Sequence, residues 1–268
     1  MELRHCALQA LQAKAPLTKV KLVGELWALR ERLQIDTKVH LSPQMDTIPG
    51  RPDLPELINA RNMPKRSPFN NEGLAALVHA VCHIEFNAIN LALDAIWRYA
   101  GMPESYYEDW MRVAYEESTH FELLRELLES LGFSYGEFKA HDGLWDMCTK
   151  TGDSIIARMA LVPRTLEARG LDATPVIQKK LQTAGTEQAN AATKILDIIL
   201  RDEVGHVAIG NYWYNWLCSK QGVDPLTYYN ELALKHNAPK LRPPFNLEAR
   251  RKAGFTDKEL ETLQHQDT

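Results

Sequence analysis

The sequence has few cysteines, and none of them lies close to another. Its 268 residues include four, at positions Cys6, Cys82, Cys148 and Cys218, and no Cys-x-x-Cys pair occurs. Disulfide frameworks and thiolate zinc sites both need cysteines at characteristic spacings. The scattered positions exclude these two classes and indicate reduced thiols in a reducing cytoplasm.

The chain also has no excess of one charge and no obvious membrane segment. Its 31 Lys and Arg against 35 Asp and Glu give a formal net charge of −4 at pH 7. This balance disfavours broad electrostatic capture of nucleic acid or of anionic membranes. The first residues lack the uninterrupted apolar core of a signal peptide, and no apolar run is expected to span a bilayer. We therefore expect a cytoplasmic protein with no membrane partner and no nucleic-acid partner.

Signals for β-strands are nearly absent, and a helical period dominates the chain. We predict an all-α protein in three segments. Residues 1–72 form an N-terminal arm, helical at first and then rich in proline, packed on the main domain. Residues 73–222 contain four long helices, and residues 223–268 form a C-terminal extension of short helical pieces.

Glycine and proline divide the segment 73–222. The first helix is predicted over about residues 72–100 and the second over about 104–131. A loop of roughly twenty residues follows, which is longer than the connections usual in helical bundles. The third helix begins near Asp153, and the fourth ends at Gly222. The pattern predicts a bundle with a long crossover between helices 2 and 3.

Polar residues interrupt the apolar faces of these four helices at a helical period. Glutamate and histidine three residues apart project side by side, so both can bind one ion. Four carboxylates in one core would otherwise repel each other and lose their hydration. Two divalent cations would balance them, and oxygen-rich ligation with one histidine per ion favours iron or manganese. The predicted ligands are Glu85, Glu117, His120, Glu167, Glu203 and His206.

The spacing also predicts how the helices pair. Glu85 and Glu117 lie at similar distances from the turn between the first two helices, so an antiparallel hairpin brings them to one depth. Glu167 and Glu203 match only if the third helix breaks over residues 169–174 and then resumes. We predict this break beside the metal site, and a substrate channel through it.

A lone Glu-x-x-His is a weak motif that arises by chance. A third copy, residues 2–5, is interpreted as coincidence because it lacks the context of the other two. Glu117 and Glu203 each follow an acid, Glu116 and Asp202, and each lies on an otherwise apolar face. The alternative interpretation is that the six residues form surface salt bridges on helices whose phase is misjudged.

The pattern Glu85, Glu117-Ser-Thr-His120, Glu167, Glu203-Val-Gly-His206 resembles the ferritin-like di-iron carboxylate proteins. The stretches HIEFNAINLALDA, AHDGLW, RMALVPRTLEARGLD and DEVGHVAIG look like a bacterial ferritin-like family called domain of unknown function 455. PGRPDLPEL and PPFNLEARRKAGF extend this similarity over nearly the whole chain. It implies a ferritin-like four-helix bundle with N- and C-terminal extensions.

The superfamily resemblance further implies roles for individual residues. Glu85 and Glu167 would be terminal or bridging ligands, and each Glu-x-x-His pair would supply one carboxylate and one imidazole. Glu116 and Asp202 would accept a hydrogen bond from the outward nitrogen of the opposite histidine, which fixes its tautomer.

The close family lends no reaction, so several functions stay open. We expect two iron ions, with Mn/Fe or Mn/Mn as alternatives, that activate O₂ to oxidise or hydroxylate an unidentified small molecule, with an electron donor protein. The second hypothesis is a ferroxidase or iron-handling protein without organic substrate. A tRNA-modifying hydroxylase is disfavoured by the net charge, and a vestigial site by the complete ligand set. Extensions on both sides of the bundle favour a monomer or small homo-oligomer over a shell.

Three further features carry weaker predictions. His79 and His83 lie one helical turn apart but face away from the predicted site, which favours a surface or second-interface role. Asn87 and Asn90 share that far side and are expected to bond a neighbouring segment such as the arm. The stretch AHDGLW, residues 140–145, is either an active-site lid or a structural loop anchored by its tryptophan.

Overall fold

The computed structural model describes residues 1–42, 47–64 and 66–265, and the regular secondary structure of this part of the chain is helical. It contains no β-strand, and its β contacts are two isolated bridges, Glu2 with Gln34 and Leu57 with Ala140. The predicted all-α class is confirmed. The chain divides into two compact units, residues 1–145 and 146–268.

The first unit is built on one long helical hairpin. The turn between the hairpin's helices is short, so the two run antiparallel. Side chains reach across it at three levels, Tyr106 to the Ala95 carbonyl (3.2 Å), Cys82 to the Phe121 carbonyl (3.7 Å) and Asn71 to the Leu131 carbonyl (3.0 Å). The α-helices of this unit are α1 (Leu3–Gln12), α2 (Pro16–Ala28), α3 (Asn71–Arg98) and α4 (Glu104–Ser130), and α5 (Gly143–Lys150) begins at its end.

The N-terminal segment packs on this hairpin, with α1 against α3 and α2 against α4. Arg4 is fully buried and donates to the carbonyls of Ile96 (3.2 Å) and Trp97 (2.7 Å) in the last turn of α3. Carbonyls at a helix C-terminus have no partner within the helix, so a cation there stabilises the end of α3. These contacts hold α1 and α2 on the hairpin, and the packing of the whole arm, residues 1–72, on a bundle stays a prediction.

Helix α3 is long and apolar enough to span a membrane by composition, with a mean hydropathy of 1.4 over 18 residues. The expectation that no apolar run has this length is therefore wrong. However, 72% of that window is buried inside the protein, as in the core helix of a soluble protein. Glu85 lies in this helix and is buried with it.

The second unit contains another antiparallel pair. Its α-helices are α6 (Ile155–Leu161), α7 (Ala168–Ala184), α8 (Glu187–Gln221), α9 (Pro225–Lys235), α10 (Leu247–Lys252) and α11 (Asp257–His265), with a π-helical segment, Val162–Glu167, between α6 and α7. Gly185 turns the chain between α7 and α8 with a φ of 66°, where a left-handed residue ends the helix. Gln178 donates to Asp197 across the pair at 2.7 Å.

The predicted break over residues 169–174 is wrong, because α7 runs through these residues without interruption. Pro175 lies inside α7 and has no N–H to offer the carbonyl of Leu171. The side-chain amide of Asn246 donates to that carbonyl instead, at 3.2 Å. The departure from α-helical geometry lies earlier, in the π-helical segment Val162–Glu167. The channel predicted at the break therefore loses its basis.

Gly210 of α8 lies so close to Pro163 of the π-helical segment that a Cβ atom would not fit between them. A Cβ at this position would lie 2.4 Å from Pro163 Cβ, whereas a Cβ at Gly205 of the same helix would meet nothing within 4 Å. We expect Gly210→Ala to destabilise the protein by about 1–3 kcal/mol through overpacking. Gly205→Ala is expected to stabilise it by about 0.5–1 kcal/mol.

Urea unfolding of the two metal-free variants measures this difference. Equal gains in both would show that the Pro163 ring moves aside without cost.

Candidate metal centre

In the first unit, α3 and α4 bring two carboxylates to one imidazole. The side chain of Asn70 caps α3 by accepting from the N–H of Gly73 at 2.7 Å, which fixes where the helix begins. Glu85 lies four turns later, on the face that packs against α4. Glu117 and His120 are one helical turn apart on α4 and face the same space. All three are buried, at 3%, 0% and 1% exposure.

The donor atoms of these three residues converge. Nδ1 of His120 lies 3.3 Å from Glu85 Oε2 and 3.3 Å from Glu117 Oε2. One ligand atom from each residue lies within 4.8 Å of the other two. The equal depth predicted for Glu85 and Glu117 is confirmed, since both carboxylates reach the same ring nitrogen.

Burial and neighbouring charge shift the pKa values of this cluster. Burial raises the pKa of the Glu85 carboxyl well above its usual value, and the nearby charge of Glu117 raises it further. Burial lowers the pKa of the His120 ring, but hydrogen bonds and negative charge from Glu117 and Glu85 outweigh it and raise the pKa to about 11. In this cluster the raised pKa values mean that the His120 ring and the Glu85 carboxyl both hold a proton more strongly than the free groups do.

The donor set fits a divalent metal ion. First-row metal ions bind nitrogen and oxygen donors at about 2.0–2.2 Å, so donors 3.3 Å apart can share one ion. A cation between them would displace the proton from His120 and compensate the buried carboxylates. Two carboxylate oxygens and one imidazole nitrogen form a donor set that suits iron or manganese, whereas a thiolate-rich set would favour zinc. The buried Glu and His side chains of this unit could thus bind a metal ion.

The second unit holds the other three predicted ligands. Glu203 and His206 lie one turn apart on α8, with Nδ1 of His206 3.9 Å from Glu203 Oε1. Glu167 ends the π-helical segment, and all three are buried, at 8%, 0% and 7% exposure. Arg164 lies three residues before Glu167, and Asn211 lies five residues after His206. The Arg164 guanidinium donates to the side-chain oxygen of Asn211 at 2.5 Å. This contact ties the π-helical segment that ends at Glu167 to α8.

Glu116 and Asp202 are the two acids predicted to accept hydrogen bonds from the histidines of the site. Glu116 and Asp202 are each partly buried, next to Glu117 and Glu203 in sequence. The Asp202 carboxylate accepts from the guanidinium of its neighbour Arg201 at 2.8 and 3.0 Å. A hydrogen bond from either acid to a histidine of the site stays a prediction.

The third Glu-x-x-His copy has a different role. The Glu2 carboxylate accepts from the backbone N–H groups of Arg4 and His5 at 3.0 and 2.8 Å, which caps α1. It also bonds the His5 ring at 2.8 Å, and the His5 side chain is 54% exposed. The interpretation of this copy as a coincidence agrees with its place at a helix N-terminus.

His79 and His83 are buried, so the surface role expected for them is wrong. His79 accepts from the backbone N–H of Gly136 at 3.0 Å, and His83 Nδ1 lies 2.8 Å from the Tyr135 hydroxyl. Burial lowers the pKa of His79 to about 4 and of His83 to about 3. Both rings are neutral at physiological pH and hold the chain after α4 against α3.

The AHDGLW stretch is bound to the arm. The Ala140 carbonyl accepts from the N–H of Ile58 at 2.9 Å, and Asp142 pairs with Arg51 at 2.6 Å. The Arg51 guanidinium also lies 5.9 Å from the ring of Trp145. These contacts favour the structural role over the lid. The sequence did not predict that α5 begins within this stretch.

Comparison with known proteins decides the family. The family described as "Protein of unknown function (DUF455)" matches residues 12–261. The chain belongs to this family. An uncharacterized protein of Haemophilus influenzae is 46% identical over 265 residues, which are 95% of this chain and 91% of that protein. No solved structure matches the chain. The DUF455 resemblance is thus confirmed, while the ferritin-like superfamily stays a prediction.

Sequence reasoning missed the buried cations of this DUF455 chain, among them Lys19 and Arg164. Lys19 is fully buried in α2, and Arg164 is buried in the π-helical segment. Each lies in an apolar stretch, Val20 and Val23 following Lys19, and Val162 and Pro163 preceding Arg164. A basic residue flanked by apolar residues in the sequence was the signal that could have predicted this burial.

Proposed function

We propose that this protein is a di-metal carboxylate enzyme of ferritin-like architecture that uses O₂ to oxidise or hydroxylate a small organic substrate. The observation that carries the proposal is the convergence of the Glu85 and Glu117 carboxylates on Nδ1 of His120 in a buried site. Such a cluster is costly to bury unless a cation compensates it.

The repeated order of ligands supports a second ion. Each unit has one Glu on its first long helical stretch and one Glu-x-x-His on its second. In the proposal, Glu85, Glu117 and His120 supply one set of ligands, and Glu167, Glu203 and His206 supply the other. Four carboxylates would balance the charge of two divalent ions, leaving both imidazoles neutral.

Two iron ions, when bound, would supply the activation of O₂. The chain contributes fixed ligands and a dry surrounding, because the six residues are all at most 8% exposed. Burial of the six side chains would keep bulk water away from the site. An electron donor protein and a substrate specific to this family complete the proposal, and Mn/Fe or Mn/Mn centres remain alternatives to two irons.

Elemental analysis of the purified protein beside Glu203→Ala tests the proposal. We expect about two metal ions per wild-type chain, consistent with the six-residue ligand set of the superfamily. The variant is expected to lose at least one of them, because Glu203 supplies a charged ligand. Anaerobic Fe(II) loading followed by O₂ should give a transient absorption in the wild type that the variant lacks. A wild-type chain that takes up no metal would overturn the proposal.

The iron-handling alternative predicts a different turnover. A ferroxidase would continue to oxidise Fe(II) far beyond two ions per chain and would need no organic substrate. An enzyme with an organic substrate should stop after one cycle unless substrate and reductant are added. Measurement of O₂ consumed per chain at increasing Fe(II) separates the two.

A further inference from the structure

The turn that carries Glu167 is held by the C-terminal part of the second unit. Pro163, Arg164 and Glu167 all lie in the π-helical segment Val162–Glu167. The N–H of Ala168 donates to the Pro163 carbonyl, five residues back, which makes this turn wider than an α-helical one. Such a turn has weaker support from its own backbone, and its geometry depends on side-chain contacts.

Arg164 supplies those contacts from inside the protein. Its side chain is 4% exposed. One terminal nitrogen donates to Asn211 Oδ1 at 2.5 Å, and the other bonds the Glu259 carboxylate of α11. The guanidinium lies 4.7 Å from the ring of Phe255 and 5.1 Å from that of Tyr214. A planar guanidinium between rings and two oxygen acceptors leaves the π-helical segment little freedom.

The partners of Arg164 are fixed in turn. Asn211 donates to the carbonyl of Ala253 at 2.7 Å, so α8 is tied to the turn after α10.

A second arginine, Arg250, makes a similar link. Asp172 of α7 binds Arg250 through both carboxylate oxygens, at 3.0 and 2.6 Å. Arg250 is fully buried and also donates to the carbonyl of Ala168, the residue after Glu167, at 3.3 Å. Both arginines therefore join the C-terminal segment to the residues on either side of Glu167.

Apolar packing follows the same lines. Ala168 and Val207, which directly follow the predicted ligands Glu167 and His206, pack in one buried cluster with Ala249 and Ala253. Helix α10 and the turn after it thus contact the residue after a ligand on both α7 and α8. The C-terminal extension therefore packs against both α7 and α8 and helps to set the distance between them.

We propose that Arg164, held by Glu259, is a positioning residue for the Glu167 carboxylate. The inference rests on the proposed function, because it gives Glu167 a metal to bind. A guanidinium that bonds both α8 and α11 fixes the wide turn at one height relative to Glu203 and His206. Loss of this link lets the Glu167 carboxylate move away from its ligating position, while the other ligands stay in place.

Two matched amide substitutions and one double variant test this. Glu259→Gln removes the buried charge that pairs with Arg164. Asp257→Asn makes the same chemical change two residues away, where the partner is Arg251 and the side chain is 78% exposed. The double variant Arg164→Met with Glu259→Met replaces the buried ion pair by apolar groups, which often preserves or raises stability. Free Mn(II) is titrated by electron paramagnetic resonance, and unfolding is followed in chelator.

The expected results separate positioning from general stability. Asp257→Asn should bind Mn(II) like the wild type. In Glu259→Gln and in the double variant, the Kd of the more weakly bound of the two Mn(II) ions should rise roughly tenfold or more. Loss of other groups that orient metal ligands has effects of this size. The double variant should do so although its unfolding midpoint stays close to that of the wild type. The Co(II) absorption spectrum should change in the same two variants.

Two outcomes would overturn the inference, and they differ from each other. A double variant that unfolds like the wild type and binds two Mn(II) with unchanged affinity and an unchanged Co(II) spectrum contradicts positioning alone. A wild-type chain that binds no Mn(II), Fe(II) or Co(II) overturns the proposed function and this inference with it.

Discussion

Replacing Glu85 by glutamine is expected to make the metal-free protein more stable while abolishing the binding of at least one metal ion. The two effects have opposite signs because the carboxylate is useful only when a cation is present. Without metal, Glu85 is 3% exposed and shares a buried space with Glu117. Glutamine keeps the shape and one acceptor oxygen but carries no charge to desolvate.

The direction of the pH dependence follows from the pKa of Glu85. Burial and the charge of Glu117 raise this pKa in the folded state above 4.5. The folded chain then keeps a proton that the unfolded chain releases, so wild-type stability falls as the pH rises above 4.5 towards the folded pKa. Glu85→Gln lacks this loss, and we expect a gain of about 1–3 kcal/mol at neutral pH in the metal-free protein.

Unfolding in urea with chelator at pH values from acidic to neutral, beside metal analysis, measures both effects. Glu126→Gln is the control, since Glu126 lies on α4 with a side chain that is 66% exposed. It should leave metal content and stability unchanged. A Glu85→Gln protein that keeps two metal ions, or that is less stable without metal, would contradict the interpretation of the cluster.

Replacing Lys19 by methionine is expected to cost about 2–4 kcal/mol of unfolding free energy. The Lys19 ammonium is fully buried and donates to the carbonyls of Leu11 (2.9 Å) and Gly50 (3.0 Å) and to the side-chain oxygen of Asn90. It also lies 5.1 Å from the ring of Phe86. Methionine fills the space of the stem but removes the ammonium from three buried acceptors, of which the Leu11 carbonyl keeps the N–H of Gly50 at 2.8 Å.

Lys21→Met is the matched control on the same helix. Its ammonium is 76% exposed and lies 3.8 Å from Glu25. Exposed pairs of this kind contribute about 0–1 kcal/mol, so little change is expected. Guanidinium unfolding of both variants gives the difference. Equal stabilities would mean that the Lys19 contacts do not stabilise the arm and α2 on α3.

The sequence alone predicted the parts of the fold that depend on local patterns. Glycine and proline placed the ends of α3 and α4 within about two residues, as expected where caps and breakers are strong. The period of 3.6 placed Glu85, Glu117 and His120 on facing sides of one hairpin, and the structure brings their donor atoms together. These outcomes needed only neighbours along the helix.

The errors arose where a distant residue overrides a local signal. The matching of Glu167 with Glu203 predicted a break over residues 169–174, yet the amide of Asn246 satisfies the Leu171 carbonyl that Pro175 leaves without a donor. The same cause hid Arg164, whose partner Glu259 lies 95 residues later. Periodicity predicts which side of a helix is buried, but it does not identify which distant group lies against that side.

The sequence by itself therefore determined the helical class, the ends of α3 and α4, and the buried Glu and His residues of the first unit that could bind a metal. Each of these follows from contacts between residues a few positions apart, which backbone geometry fixes. Only the tertiary structure decided that α7 is continuous, that Lys19 and Arg164 are buried with their partners, and that the C-terminal segment packs beside Glu167. Those outcomes depend on hydrogen-bond partners brought together by folding, and buried polar groups require such partners wherever in the chain they lie.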